Sequence, residues 1–415
     1  MGSKLNRAKT KIFGTGNWQN RDQWPTNEFQ IEQEYLYVLG IYYSNNYVNS
    51  IDKNWNVICD KIQKHTNILL SRKLTLHQRA TYANACILSK LWYVAHIHPL
   101  PDHHARNMNK IIFQYIWGGR YEPIKRNTLY KPKDKGGLAI INCLIKAKTL
   151  MVKTFLKSYT HETYRNSLMY YYCYLRLNNI LPSNYLVHHS SPVATSYYAT
   201  AITLIKSLLH LPGFPFIPKD KIYQHMIPKE KSLSEMQYPT LNWQKIWENY
   251  LSLFIYSYDK EIIYKHLHMC LATNKKLFSM NLVESSNCGK CIADREETPL
   301  HMLYECDSIK PLFLWVIRCL SNVSNFMPSS NIRFLYFDNT FNNSSQKNIC
   351  NIFIYIYIIT IWRTRKENLR IGDIKKLFIR KLVDYGKFIK LISSQKFEKL
   401  STDLSAIDID SLIDL

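Results

Sequence analysis

The sequence predicts a mainly α-helical fold with a small β element near its N-terminal end, and three observations carry that prediction. Apolar residues recur at helical spacing through long windows from about residue 52 onward. β-Branched and aromatic types alternate in one short early stretch, YLYVLGIYY at 35–43, which reads as a strand. Residues 156–275 are rich in Tyr and Leu and read as mostly helical, with a break at LPGFPFIPKD (211–220). With 46% apolar residues in a 415-residue chain, there is material for a real core.

Before the strand, Gly14, Gly16 and Pro25 mark a loop-like segment. The first helical pattern runs through Trp55, Ile58, Ile62, His65 and Leu69, with Asp52 as its expected cap. The second uses Leu76, Ala80, Ala83, Ile87 and Leu91 and must stop before His98-Pro99-Leu100-Pro101. A third spans about Asn107 to Trp117 and ends at Gly118-Gly119; a further one starts near Cys143, after Gly136-Gly137. In the apolar run 352–361, periods of 2 and 3.6 fit equally well, so periodicity leaves helix or strand open. The basic stretch WRTRKENLR (362–370) follows, and the acidic tail STDLSAIDIDSLIDL is expected to fray. These signals divide the chain into 1–50, a helical bundle at 51–155, a helical connecting region at 156–275, a small module at 276–325, and a helical region with the tail at 326–415.

The charge restricts the partners. Lys and Arg number 54 against 31 Asp and Glu, a formal net charge of +23. Residues 1–150 alone hold 22 basic and 9 acidic side chains. Such a surface attracts polyanions, RNA or DNA first among them. An anionic membrane is disfavoured, because no lone basic amphipathic helix stands out. The opening MGSKLNRAKTKIFG has no apolar core, position 6 is Asn where a myristoylation site wants Ser or Thr, and IFIYIYIITIW (352–362) is too short to span a bilayer. A soluble, unsecreted protein of the nucleus or cytoplasm is expected, its scattered cysteines (59, 86, 143, 173, 270, 319 and 350) reduced and mostly buried.

One stretch, CGKCIADREETPLHMLYEC (288–306), carries chemistry. Cys288, Cys291, His301 and Cys306 follow the pattern Cys-x2-Cys-x9-His-x4-Cys. A Cys-x2-Cys turn aims two thiolates at one cation, and a helical turn downstream brings His and Cys to the other two tetrahedral positions. Thr298 as cap and Pro299 at the first helical position start that turn. Four protein ligands make a closed, structural Zn2+ site, with Glu297, Glu305 and Asp307 available to hold the histidine. A redox Cys-x-x-Cys is the weaker alternative, since no βαβ pattern surrounds it.

Read together, several segments resemble the C-terminal part of a non-LTR (LINE-type) retrotransposon reverse transcriptase. They are SKLNRAKTKIFGTGNW (3–18), VLGI (38–41), NW (54–55), RKLTLHQRATYANACILSKLWYVAHIHPLP (72–101), IWGG (116–119) and KPKDKGGLAI (131–140), followed by the cysteine segment. The resemblance covers most of 1–155 and about 280–320, and its specificity lies in the order of the motifs. It implies that 1–50 are the end of the palm with the strand that holds the primer end, and that 51–155 are a thumb gripping a template–primer duplex, an RNA–DNA hybrid among its candidates. Lys9 would be the remnant of a lysine near the incoming nucleotide's phosphates. Arg72, Lys73, Arg79 and Lys90 are the candidate contacts to the nucleic-acid backbone, where cations serve without base preference.

One departure bears on activity. A polymerase of this family clamps two Mg2+ ions with an early palm aspartate and a Tyr-x-Asp-Asp turn. The sequence contains no Asp-Asp pair, and Asp22, Asp52 and Asp60 stand in the wrong context to replace it. Nor does the Pro-Asp…Asp/Glu-x-Lys pattern of a restriction-like nuclease follow Cys306. The expectation is a nucleic-acid-binding fragment without polymerase activity of its own, Mg2+ belonging only to an intact parent enzyme. The alternatives are a piece of an active reverse transcriptase whose upstream half is missing, and a host-retained zinc protein that binds a protein partner.

Overall fold

A computed structural model of the chain describes residues 6–19, 24, 28–119, 121–160, 196–291 and 293–391. These residues are mainly helical, with a few short strands at the N-terminal end, as the sequence predicts. They form two compact units of interleaved chain: Met1–Glu122 with Ile140–Pro228, and Pro123–Ala139 with Lys229–Leu415. Residues 123–139, which sequence reading kept with the helices before them, thus belong to the second unit. The acidic tail and Cys173 lie outside the described residues.

In the first unit, β1 (Lys11–Phe13) pairs in parallel with β2 (Gln30–Glu32). The single strand expected at 35–43 is instead a hairpin of β3 (Leu36–Val38) and β4 (Ile41–Tyr43). Leu39 and Gly40 both have positive φ, 49° and 86°, the backbone a two-residue hairpin turn of matching twist requires. Helix α1 (Tyr47–Leu70) begins six residues earlier than expected, because Asn46 rather than Asp52 accepts its first free N–H groups, from Val48 and Asn49. Asn54 ties helix to hairpin: its carboxamide accepts from Tyr42 N–H at 3.0 Å and donates to the Tyr42 carbonyl at 2.7 Å.

Helix α2 (Leu76–Tyr82) opens on a reciprocal Thr75–Gln78 capping box, passes through a π-turn at Ala83–Ile87 and continues as α3 (Ser89–Ala95). Helix α4 (Asp102–Ile116) starts directly after Pro101. Trp55, Ile62, Leu91, Met108 and Phe113 are fully buried in this unit. Each such side chain stabilises the fold by about 1.5–3 kcal/mol relative to exposure. The segment carrying α5 (Arg126–Tyr130) departs to the second unit, and α6 (Cys143–Thr160) returns to the first. With α7 (Ser196–Lys206) and α8 (Lys219–Met226) it closes a core around Met151, Phe155, Ile205 and Ile222.

The second unit gathers α9 (Leu233–Gln237), α10 (Trp243–Ser252), α11 (Ser257–Leu267), α12 (Asn274–Phe278), α13 (Lys310–Ser324), α14 (Asn331–Leu335), α15 (Ser344–Thr364) and α16 (Ile371–Leu391). The ambiguous run 352–361 lies in α15, capped by Asn343. Every residue from Ile349 to Ile361 is buried, so α15 has no solvent face to reveal a period. The segment 123–139 is held here through Gly136. Its carbonyl accepts from Tyr264 Oη at 3.0 Å and from His268 Nε2 at 2.8 Å. The six further described cysteines are free thiols, all but Cys86 buried. Among the described residues no helix is long and apolar enough to cross a membrane.

Candidate metal centre

The four residues of the Cys3His pattern converge in the second unit. Their ligand atoms all lie within 4.8 Å of one another, so the cluster could hold a metal ion. Backbone pairing builds the first half: Asn287 and Glu296 form an antiparallel bridge, and Cys288 N–H donates to the Arg295 carbonyl at 2.8 Å. The turn between these partners carries Cys288 and Cys291. The second half starts as the sequence predicts, with Thr298 Oγ1 accepting from His301 N–H at 3.0 Å.

From His301 to Glu305 the chain then widens into a π-turn, in which Cys306 N–H reaches back to the His301 carbonyl at 2.9 Å. This wider i→i+5 closure brings Cys306 back toward His301, although their spacing does not match an ordinary α-helical face. The Tyr357 hydroxyl of α15 donates to the Leu303 carbonyl inside that turn.

The geometry suits a tetrahedral cation. The sulfurs of Cys288 and Cys306 are 3.8 Å apart, too far for a disulfide. That distance is about one tetrahedral edge for metal–sulfur bonds of about 2.3 Å. His301 is 2% exposed, and its Nε2 has no hydrogen-bond partner, as expected of an atom reserved for a metal. Burial also holds the His301 imidazole below its usual pKa, favouring the neutral, ligating form. Burial pushes the Cys288 thiol up to about 11, with Cys306 adding to the rise. Without a cation Cys288 therefore stays a neutral thiol, and a bound metal ion would have to displace its proton.

The surroundings differ from expectation. Glu297 is buried, but its carboxylate accepts the Asn274 N–H at 2.5 Å and so anchors the start of α12 rather than the histidine. Glu305 and Asp307 are exposed and reach His301 only as nearby charges. Two cations that sequence reasoning missed flank the cluster. Lys290 lies between the paired cysteines, and its pKa is lowered by burial although Cys288 and Cys306 oppose the shift. Arg365 stacks 4.4 Å over Trp362 and is charge-coupled to Glu297. Three thiolates and one divalent ion leave a single net negative charge, which such cations balance. The only sequence signal for them was the basic character of GK and WRTRK beside the pattern.

The predicted nucleic-acid contacts lie in the first unit. Arg72 and Lys73 are exposed after α1, while Arg79 on α2 and Lys90 on α3 are half-buried. Arg72 and Lys90 both act electrostatically on His65, and Arg72 and Arg79 both act on Tyr115, so Arg72 shares a neighbour with each of the other two. Arg79 also packs against Gly118: a Cβ there would lie 2.0 Å from its Nη1. Lys9 is exposed in a turn whose N–H bonds back to Asn6. The chain matches no protein-family model and no curated protein sequence.

Proposed function

We propose that this chain is a nucleic-acid-binding protein of the non-LTR reverse transcriptase type, whose first unit grips a duplex backbone and whose metal is structural Zn2+. The observation that carries the reading is that Arg72 and Lys90 lie within electrostatic reach of His65, and Arg72 and Arg79 within reach of Tyr115. Among the described residues none of these three cations has a carboxylate partner. Cations without counter-charges are suited to phosphate oxygens. The motif order resembling the family's thumb and the excess of basic residues in 1–150 support it. Zn2+ is favoured because three thiolates and an imidazole leave no open position, which also argues for a structural role. The sequence holds no Asp-Asp pair of the kind that clamps catalytic Mg2+ in that family.

Binding to duplexes, measured across a salt series, tests this. A log–log slope on the order of −4 to −8 is expected for about five to nine phosphate contacts. Different sequences of equal length should bind within roughly tenfold of each other. The combined Arg72→Ala, Lys73→Ala, Lys90→Ala variant avoids the packed Arg79 and should flatten the slope by about two to three. Salt-insensitive binding, or a variant that binds like wild type, overturns the reading in favour of a zinc protein with a protein partner.

A further inference from the structure

A second group of metal-ligating side chains lies in the first unit, outside the Cys3His cluster and independent of any nucleic-acid role. Asp52 sits in the second turn of α1; His103 and His104 occupy the first turn of α4. The turn is set by Pro99 and Pro101, which deliver the two histidines side by side with ring centroids 4.1 Å apart. Both rings aim their Nε2 atoms at one carboxylate oxygen. His104 Nε2 is 3.0 Å from Asp52 Oδ1 and His103 Nε2 is 3.6 Å from it. All three ligand atoms lie within 4.8 Å of one another.

From this geometry we infer that Asp52, His103 and His104 form a second divalent-cation site that bridges α1 and α4. A tetrahedral ion with bonds of about 2.0–2.1 Å separates neighbouring ligand atoms by about 3.3–3.4 Å, and the two observed distances bracket that edge. A simple buried pair explains His104, which is 5% exposed and needs a partner for its ring nitrogen. It does not explain His103, whose exposed ring could take its hydrogen bonds from water yet turns toward the same oxygen. Two imidazoles and one carboxylate select Zn2+, Co2+ or Ni2+ over Mg2+ or Ca2+, which prefer all-oxygen shells. Three protein ligands leave the fourth position to water, so this site binds its ion more weakly than the closed thiolate cluster.

Metal-stripped full-length chain titrated with Zn2+ by calorimetry, and with Co2+ by visible absorption, tests the inference. Wild type should take up two equivalents. The first should bring the sulfur-to-cobalt charge-transfer band, and the second only the weak bands of nitrogen and oxygen ligands. Asp52→Asn and His103→Gln should each weaken the second equivalent at least tenfold while leaving the first unchanged. A Cys291→Ser, Cys306→Ser variant should lose the sulfur band but keep the second equivalent. His103 is exposed, so its replacement leaves the core intact, and circular dichroism checks this directly. One equivalent in wild type, or a second that survives both first-unit substitutions, overturns the site.

Discussion

Lys290, between the paired cysteines of the metal centre, donates its ammonium to the carbonyl of Thr364, the last residue of α15, at 3.0 Å. The cysteine turn is thereby tied to the end of α15, and Tyr357 of the same buried helix is tied to the π-turn. Stripping the metal should therefore be felt beyond residues 286–306. We expect about one Zn2+ per Cys3His cluster, and removal by chelation should destabilise the second unit by several kcal/mol. Lys290→Met should cost about 1–2 kcal/mol through the lost charge-assisted bond, without lowering metal content. Metal analysis together with urea midpoints checks both. Unchanged midpoints after full metal loss would refute the structural role.

Most of this centre was legible because its ligands sit within nineteen consecutive positions, Cys288 to Cys306, and local spacing nearly determines where they can go. The Thr298–Pro299 start was legible for the same reason. The π-turn was not, since five residues of ordinary helical composition conceal its extra width. The second cluster was out of reach altogether: Asp52 meets His103 and His104 only through the packing of two helices distant in sequence. The hairpin at 36–43 was read as one strand because its turn opens on Leu39 at positive φ, ahead of Gly40, where Asn or Gly would have signalled it. In α15 burial on every side erased the period that distinguishes helix from strand.

Acid should weaken the second unit through His266 and His268. Burial holds both near a pKa of about 4, and each Nε2–H donates to a backbone carbonyl. The unfolded chain protonates them near about 6.5, so protons bind the unfolded state first. Their stabilising contribution is complete above that value, declines as pH falls, and is lost by about pH 4. The loss is on the order of 3 kcal/mol per histidine. His268→Gln, which keeps a donor for Gly136, should flatten the wild-type decline between about pH 6.5 and 5, read from denaturation midpoints. Parallel pH profiles would exclude this origin.

Two glycines with similar backbone should respond differently to the same substitution. Gly136 and Gly119 have φ of 77° and 74°, but a Cβ on Gly136 would meet the Trp247 ring at 2.5 Å, whereas Gly119 faces open space. Gly119→Ala should cost only the left-handed penalty of about 1–2 kcal/mol. Gly136→Ala should cost about 1–3 kcal/mol more through overpacking. Equal effects on thermal denaturation would show that the ring yields freely.

Polymerase activity offers a direct check on the family reading. On that reading, given template, primer, deoxynucleotides and Mg2+, the chain should give no extension above background, since the sequence holds no Asp-Asp pair to clamp the metal ions of phosphoryl transfer. Extension that persists through repurification and disappears in Lys9→Ala would reinstate an enzymatic role.

The excursion of residues 123–139 has a bearing on how the protein can be made and dissected. Because each unit is closed by a later stretch of chain, neither can be released by a single cut. A fragment ending near residue 155 would expose a strip meant for Trp247 and Tyr264, which it does not contain. On the ribosome the same strip emerges well before those partners, and must wait unpaired for more than a hundred residues of synthesis. Fragments cut between the two visits are therefore expected to be less soluble than the full chain.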